Sequence, residues 1–186
     1  MAAIAKHFPG HGAVVADSHE KLPYDRRAYG DVLDDMLPYD KLIGNGVVAG
    51  VMMSHVIYSD IDPLPAGFSR YWVQSELRSR LGFDGAVFCD DLTMKATEGY
   101  GSMPKRARLA LEAGCDMLLI CNDRPAAQVA IASLKEYSNP LSLVRLARLH
   151  GTGQVRRESL LASEEWQAAN RRFNNWQDRP PLELNA

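Results

Sequence analysis

Short apolar runs recur along the chain, and amphipathic or polar segments separate them. Four runs predict strands, at about residues 3–8, 47–55, 85–90 and 117–121. Each run is continuous and is bounded by turn residues, which is typical of strands that are buried on both faces. Because helical patterns alternate with these strands, the predicted fold class is α/β, built from parallel βα units.

The helical segments carry recognisable start and stop signals. "GFSRYWVQSELRSRLG" predicts a helix that Ser69 caps and Gly82 follows. Its apolar face comprises Trp72, Leu77 and Leu81. "DVLDDMLPYDKLI" predicts a helix that is interrupted near Pro38, because an internal proline removes a backbone hydrogen bond.

The later part of the chain continues the alternation and then changes character. "MPKRARLALEAG" predicts a helix with a glycine stop, and "RPAAQVAIASLKEY" predicts the next helix. From Leu141 onward the pattern predicts only helix, with a loose tail "DRPPLELNA" and with Trp166, Phe173 and Trp176 on one face. We therefore expect a domain of βα units over residues 1–140, on which C-terminal helices and tail, residues 141–186, pack.

Polar residues follow the predicted strand ends. They are His7, His55, Asp90 and Asn122. Because parallel strands present their carboxyl ends at one edge, where α/β folds place their chemistry, we expect these residues to lie together. The sequence therefore predicts a functional site at this edge.

Composition narrows the class of partner and the compartment. The formal net charge of −2, with mixed signs along the chain, favours neither nucleic acid nor an anionic membrane as partner. Cys89, Cys115 and Cys121 lie in apolar runs and are interpreted as buried, reduced thiols of a cytoplasmic protein. We expect no signal peptide and no membrane span.

The stretch "KHFPGHGAVVADSH", residues 6–19, concentrates titratable side chains in a glycine-containing loop. Asp17 and His19 are two positions apart, so a carboxylate could orient the imidazole and make His19 a proton shuttle. The alternative is an Asx turn with a solvated histidine. Gly10 and Gly12 would let this loop move as a lid over a site. The alternative is that they form a plain turn.

The same stretch suggests two further kinds of site. Lys6 and His7 end a strand, where both can reach a ligand, although surface snorkelling would also explain Lys6. His7, His11 and His19 with Asp17 could ligate a metal. Their spacing matches no recognised zinc pattern, so we expect no metal.

Asp90 and Asp91 follow the run "AVFC" directly. Paired carboxylates at the end of a buried strand are costly unless they are solvated or used. One of them can serve as a nucleophile or base, or it can cap the helix that "LTMKATEGYG" predicts. There is no P-loop, no GxGxxG and no GxSxG motif, so nucleotide binding and serine hydrolysis lack support.

These motifs resemble those of a known family. "KHFPGHGAVVADSH" resembles the signature of bacterial β-N-acetylhexosaminidases of glycoside hydrolase family 3, of the NagZ type. "SHVIYSDIDPLPAGFSRYWVQSELRSRLGFDGAVFCDDLTMKATEGYG" and "RARLALEAGCDMLLICN" resemble the segments that follow in that family. The resemblance covers roughly residues 2–125 in register.

The resemblance implies a role for individual residues. Asp90 matches the catalytic nucleophile, His19 the general acid/base and Asp17 its dyad partner. Lys6 and His7 match residues that hold the sugar hydroxyls. The implied function is that of a retaining exo-β-N-acetylglucosaminidase acting on peptidoglycan-derived muropeptides, a small carbohydrate substrate, in the cytoplasm and without cofactor or metal.

The resemblance begins at the fifth strand of a (β/α)₈ TIM barrel, and the chain has about half the usual length. It therefore predicts the C-terminal half of such a barrel. The chain could be a fragment, or one half of a split protein that needs a missing N-terminal half. It could also be a subunit that completes a barrel by self-association. In the last alternative it is a half-barrel, and helices in residues 142–176 cover its open side. The alternative function is that of an inactive or non-catalytic sugar-binding fragment.

Overall fold

The structure is a computed structural model. It describes residues 2–14, 18, 20–151, 153 and 155–177 of the 186-residue chain. The chain divides into two compact units, residues 1–150 and 151–186.

The first unit is built on a parallel sheet. The strands, in chain order, are β1 (Ile4–Phe8), β2 (Tyr24–Asp25), β3 (Gly50–Met53), β4 (Ile57–Tyr58), β5 (Ala86–Cys89) and β6 (Met117–Leu118). Four of them form one sheet in the order β1-β3-β5-β6, and every pair in it is parallel. The predicted α/β class and the adjacency of the four strands are therefore confirmed, although β3 and β6 are shorter than predicted. β2 and β4 pair with each other in a separate two-stranded sheet. The sequence pattern predicts no strand at either place.

Helical segments connect these strands. They are α1 (Tyr29–Gly44), a 3₁₀ turn (Ala66–Phe68), a π-helix (Tyr71–Arg80), α2 (Lys95–Glu98), α3 (Met103–Ala113), α4 (Arg124–Ser133) and α5 (Pro140–Ala147). α3 ends as predicted at Gly114, whose φ of 112° is one that glycine adopts without strain. α4 ends earlier than the apolar pattern suggests.

The predicted interruption of α1 near Pro38 is wrong. The helix runs without a break from Tyr29 to Gly44 with Pro38 inside it. Pro38 and Asp34, whose carbonyl would accept the missing hydrogen bond, are both exposed. Solvent can satisfy that carbonyl, so the proline costs one hydrogen bond without ending the helix.

The predicted helix after Ser69 forms, but it is wound as a π-helix. The Ser69 hydroxyl accepts a hydrogen bond from the Trp72 N–H at 3.1 Å, as expected of a cap. Trp72 and Leu77 are both fully buried. They are five residues apart, so the i-to-i+5 hydrogen bonds of a π-helix bring them onto one face.

The core lies between this sheet and its helices. Phe8 at the end of β1 packs edge-on against Tyr39 of α1, with ring centroids 5.1 Å apart. Tyr58 packs against Trp72 at 4.9 Å. The small buried residues Ala107, Ala110 and Ala113 line α3. This packing seats the carboxyl ends of β1, β3 and β5 on a rigid base.

The prediction of three buried thiols is correct for two of them. Cys89 and Cys115 are buried and unpaired, whereas Cys121 is exposed. β6 ends at Leu118, and its two residues are exposed and half-buried, so Cys121 lies past the strand, in the loop at the carboxyl edge.

The second unit contains α6 (Arg157–Ala162) and α7 (Glu164–Gln177). Trp166, Phe173 and Trp176 are exposed on α7, and the predicted tail, residues 178–186, lies outside the described residues. The division at residue 140 and the packing of residues 141–186 on the βα units stay predictions. No helix in the described ranges is long and apolar enough to cross a membrane.

Candidate active site

The carboxyl edge of the sheet brings His7 and Asp90 together. His7 is the penultimate residue of β1 and Asp90 follows β5, and β3 lies between those two strands. His7 Nε2 nevertheless lies 3.4 Å from Asp90 Oδ2, with the side chains 29% and 17% exposed. An imidazole and a carboxylate thus share a partly open site at the edge where the sequence places the chemistry.

Asp90 keeps one oxygen directed at the site. Its Oδ1 accepts a hydrogen bond from the Asp91 N–H at 2.8 Å. Its Oδ2 is the atom that faces His7. The short link to the next backbone N–H orients the carboxylate and leaves the second oxygen for a ligand or an electrophile.

Asp91 is used differently from its neighbour. Its carboxylate accepts hydrogen bonds from the Thr93 N–H at 2.9 Å, the Thr93 hydroxyl at 2.6 Å and the Cys121 N–H at 3.0 Å. Burial acts to raise the pKa of Asp91, but these hydrogen bonds outweigh burial and lower it. Asp91 thus caps a turn and ties it to the loop after β6, rather than capping a helix.

Lys6 and His11 line the space beside His7. Lys6 is exposed, and with His11, Asp34 and Asp35 it borders an open cleft of about 690 Å³ between β1 and α1. The His7 and His11 rings are 6.0 Å apart in an edge-on arrangement. A polar ligand held at the carboxyl edge would find donors and acceptors on this side.

The segment between β1 and α1 is held at both of its ends by side chains of α1 and β4. A Cβ on Gly10 would lie 2.6 Å from Asp35 Cβ, so this close approach requires glycine, and the Tyr58 hydroxyl donates to the Gly10 carbonyl. Arg27, at the other end, donates to both Asp25 and Asp35. Burial acts to raise the pKa of Asp25, but the Arg27 hydrogen bonds outweigh it and lower the pKa.

The proposed dyad of Asp17 and His19 lies outside the described residues. Ser18, between them, is buried, its hydroxyl lies 3.3 Å from His11 Nε2, and its carbonyl accepts from the Ala96 N–H at 3.4 Å. Whether His19 is a proton shuttle or an exposed turn residue stays a prediction, as does the lid role of Gly10 and Gly12. Within the described ranges, no three His, Cys, Asp or Glu side chains are arranged to hold a metal ion.

Two features escaped the sequence analysis. The first is the Arg27–Asp25–Asp35 cluster, for which the i, i+2 spacing of Asp25 and Arg27 is a weak local signal. The second is the link from Asp91 to Cys121, which has no local signal because the two residues follow different strands, 30 positions apart in the chain. Asn122, expected at the same edge, follows Cys121, is exposed and has a φ of 58°.

Known proteins are similar to this chain over most of its length. Residues 1–149 match the glycosyl hydrolase family 3 N terminal domain. A beta-hexosaminidase of Thioalkalivibrio sulfidiphilus (strain HL-EbGR7) is 49% identical over 184 residues, which cover 99% of this chain and 53% of that protein. The chain therefore spans about half the length of the curated relatives it matches.

Solved structures are also similar to this chain. Native NagZ from Neisseria gonorrhoeae is 34% identical and superposes with a TM-score of 0.81 over 97% of this chain and 52% of that chain. The same Neisseria protein in complex with N-trifluoroacetyl-D-glucosamine is 34% identical, with a TM-score of 0.78 over 94% of this chain and 50% of that one.

Proposed function

Because this chain belongs to the family of the glycosyl hydrolase family 3 N-terminal domain, we propose that it carries the nucleophile and sugar-contacting residues of a retaining exo-β-N-acetylglucosaminidase. The observation that carries the proposal is the approach of Asp90 Oδ2 to His7 Nε2 at 3.4 Å. This pair lies at the carboxyl edge, where βα folds place catalytic residues.

In this proposal Asp90 attacks the anomeric carbon. A bond forms between Asp90 Oδ2 and that carbon while the glycosidic bond breaks, and the departing oxygen takes a proton from His19. His19 then accepts a proton from water, which displaces Asp90 and releases the sugar with its β configuration retained. Asp17 would orient His19 and stabilise its charged form.

Asp90 is a better nucleophile candidate than Asp91. The Asp91 carboxylate is occupied by three hydrogen bonds from Thr93 and Cys121. Attack by Asp91 would break these contacts, whereas Asp90 Oδ2 accepts no backbone hydrogen bond from the residues that the structure describes. The geometry of the turn therefore assigns different tasks to two neighbouring carboxylates.

Lys6 and His7 are proposed to hold the sugar hydroxyls. The Lys6 ammonium has three donors and borders the open cleft. The His7 imidazole can donate or accept next to the reacting carbon. The similar Neisseria protein was crystallised with a glucosamine derivative, which supports an N-acylated amino sugar as the substrate class.

The finer part of the proposal concerns substrate and location. We infer that the substrates are N-acetylglucosaminyl muropeptides from peptidoglycan turnover and that the protein acts in the cytoplasm. The substrate rests on the family motifs in residues 6–19 and 89–94. The location draws support from the three unpaired cysteines.

The test is hydrolysis of 4-nitrophenyl N-acetyl-β-D-glucosaminide by this chain, with the anomer released followed by proton NMR. We expect β-N-acetylglucosamine as the first product and much slower hydrolysis of 4-nitrophenyl β-D-glucoside, the matched control. The α anomer as first product would contradict the mechanism. Absence of hydrolysis, with no shift of the Lys6, His7 or Asp90 NMR signals on adding N-acetylglucosamine, would contradict the function. Binding without hydrolysis would indicate a sugar-binding fragment.

A further inference from the structure

His55 is a buried histidine whose place in the fold the proposed mechanism does not explain. It follows β3, which lies between β1 and β5 in the sheet. His55 is only 1% exposed. Its Nε2 lies 3.2 Å from the Asp91 carbonyl oxygen. A polar side chain this deeply buried needs a partner, and here the partner belongs to the turn that carries Asp90.

The contact defines which ring nitrogen carries the proton. A carbonyl oxygen only accepts hydrogen bonds, so Nε2 must be the protonated nitrogen. Nδ1 has no hydrogen-bond partner within the part of the chain that the structure describes. Burial lowers the pKa of His55, although the neighbouring charges of Asp90 and Asp91 act to raise it. The ring is therefore neutral, with its single proton on the side of Asp91.

The surroundings hold the ring in this orientation. A Cβ on Gly67 would lie 3.4 Å from His55 Nδ1 and 3.3 Å from Cys89 Sγ, so Gly67 forms a close-fitting wall. The Phe68 ring stacks at a tilt with its centroid 5.6 Å away. An imidazole enclosed in this way cannot turn to exchange one nitrogen for the other without moving the 3₁₀ turn.

We propose that His55 is a positioning residue for the proposed nucleophile, because its Nε2–H holds the Asp91 carbonyl and thereby sets the turn from which Asp90 presents Oδ2. The residue touches no substrate in this scheme. The expected effect of His55 on turnover rests on the proposed function. The hydrogen bond from His55 to Asp91 can be tested without that function.

The contacts of Asp91 show why one hydrogen bond can matter. Its carboxylate is held by Thr93 and Cys121, and its N–H is given to Asp90 Oδ1. The Asp91 carbonyl accepts from the Met94 N–H at 3.2 Å within the same turn, and His55 adds the contact that joins this carbonyl to the neighbouring strand. Without this contact the turn would keep its ties to β6 but lose its tie to β3, on the side where His7 lies.

The first experiment does not depend on activity. The ¹⁵N shifts of the His55 ring are measured in the whole chain, with the signal assigned by its loss in His55→Gln. We expect the Nε2–H tautomer, neutral across about pH 5 to 8, the range in which an exposed histidine titrates. A protonated Nδ1 in the neutral ring, or titration near the ordinary pKa of about 6.5, would overturn the proposal.

The second experiment compares His55→Leu with His55→Gln, whose amide nitrogen can replace Nε2–H as the donor. In an active preparation we expect the leucine variant to lose about 10²-fold in kcat with KM nearly unchanged, the scale of a small misplacement of reacting groups. The glutamine variant should recover most of kcat. A leucine variant with a lower Tm and unchanged kcat, or no recovery by glutamine, would show a purely structural residue.

The two experiments also separate this proposal from the proposed function. An inactive chain with the expected His55 tautomer contradicts the function and leaves the hydrogen bond established. An active chain with the wrong tautomer contradicts the positioning role alone. If His55→Leu does not fold, the tautomer measurement on the unmodified chain still decides.

Discussion

Two aspartates at opposite ends of the same sheet show how differently one residue type can be used. Asp116 precedes β6 at the amino edge, and its side chain is 1% exposed. Its carboxylate accepts from the Val87 N–H at 2.9 Å, Arg78 at 2.7 Å, the Ser142 hydroxyl at 2.6 Å and Arg145 at 3.3 Å. Asp90, at the carboxyl edge, accepts one backbone hydrogen bond and turns its other oxygen to His7.

The difference teaches how to recognise a carboxylate available for chemistry. A fully paired, buried carboxylate such as Asp116 holds elements together, here β5, α5 and the π-helix. A carboxylate with one oxygen oriented and the other directed at a titratable neighbour is free to react. The comparison predicts that changes at Asp90 affect turnover, whereas changes at Asp116 affect stability.

The largest expected effect is on turnover by Asp90→Asn. The amide cannot form the glycosyl-enzyme, so we expect kcat to fall by roughly 10⁴-fold or more, as when other enzymes lose a nucleophile. Because Asp90 is partly exposed and, among the described residues, accepts one backbone hydrogen bond, Tm should stay within a few degrees. Steady-state kinetics and thermal unfolding of one preparation check both parts, and a large loss of Tm would break the comparison.

The next effect is on stability, in Asp116→Asn. Removing this charge leaves Arg78 and Arg145 without their shared buried partner, which costs about 3–5 kcal/mol. For a chain of this size the loss corresponds to a Tm lower by about 10 °C. Thermal unfolding followed by circular dichroism measures it.

Asp84→Asn is the matched control for Asp116. Asp84 also faces Arg145 and pairs with Arg148, but its side chain is exposed, so its removal should leave Tm nearly unchanged. Equal losses in the two variants would show that the buried network is no more important than a surface ion pair.

A smaller effect concerns acid stability. The pKa of Asp91 is lowered in the folded chain, so its stabilisation is fully present above the unfolded pKa of about 3.9 and is lost as pH falls through the lower folded pKa. We expect Asp91→Asn to reduce stability by about 1–2 kcal/mol near neutral pH. The variant should also show a weaker loss of Tm between about pH 4 and pH 2 than the unmodified chain. Parallel acid profiles would contradict this account of the turn.

Much of the fold could be predicted from the sequence because its signals are local. The four apolar runs indicated the strands, and the carboxyl-edge rule brought His7 and Asp90 together. Ser69 was recognised as a cap because its signal lies within one turn. Continuous helix through Pro38 was not predicted, because it depends on which face of α1 meets solvent.

The candidate site was less predictable where it depends on contacts between strands. Nothing near Asp91 indicates its bond to Cys121, and nothing near His55 indicates that its ring reaches the Asp91 carbonyl. The resemblance singled out Asp90 as the nucleophile, but the contacts that occupy Asp91 followed only from the folded turn. β2 and β4 have two residues each, too few to show a periodic pattern.

The most direct test of the central claim is to trap the nucleophile. The chain is treated with a 5-fluoro N-acetylglucosaminyl fluoride, digested and mapped by mass spectrometry, with Asp90→Asn as the control. Fluorine slows breakdown of the glycosyl-enzyme, so we expect one sugar on the peptide that contains Asp90 and none in the variant. Label on Asp91, or turnover of the reagent with no carboxylate labelled, would contradict the assignment of Asp90.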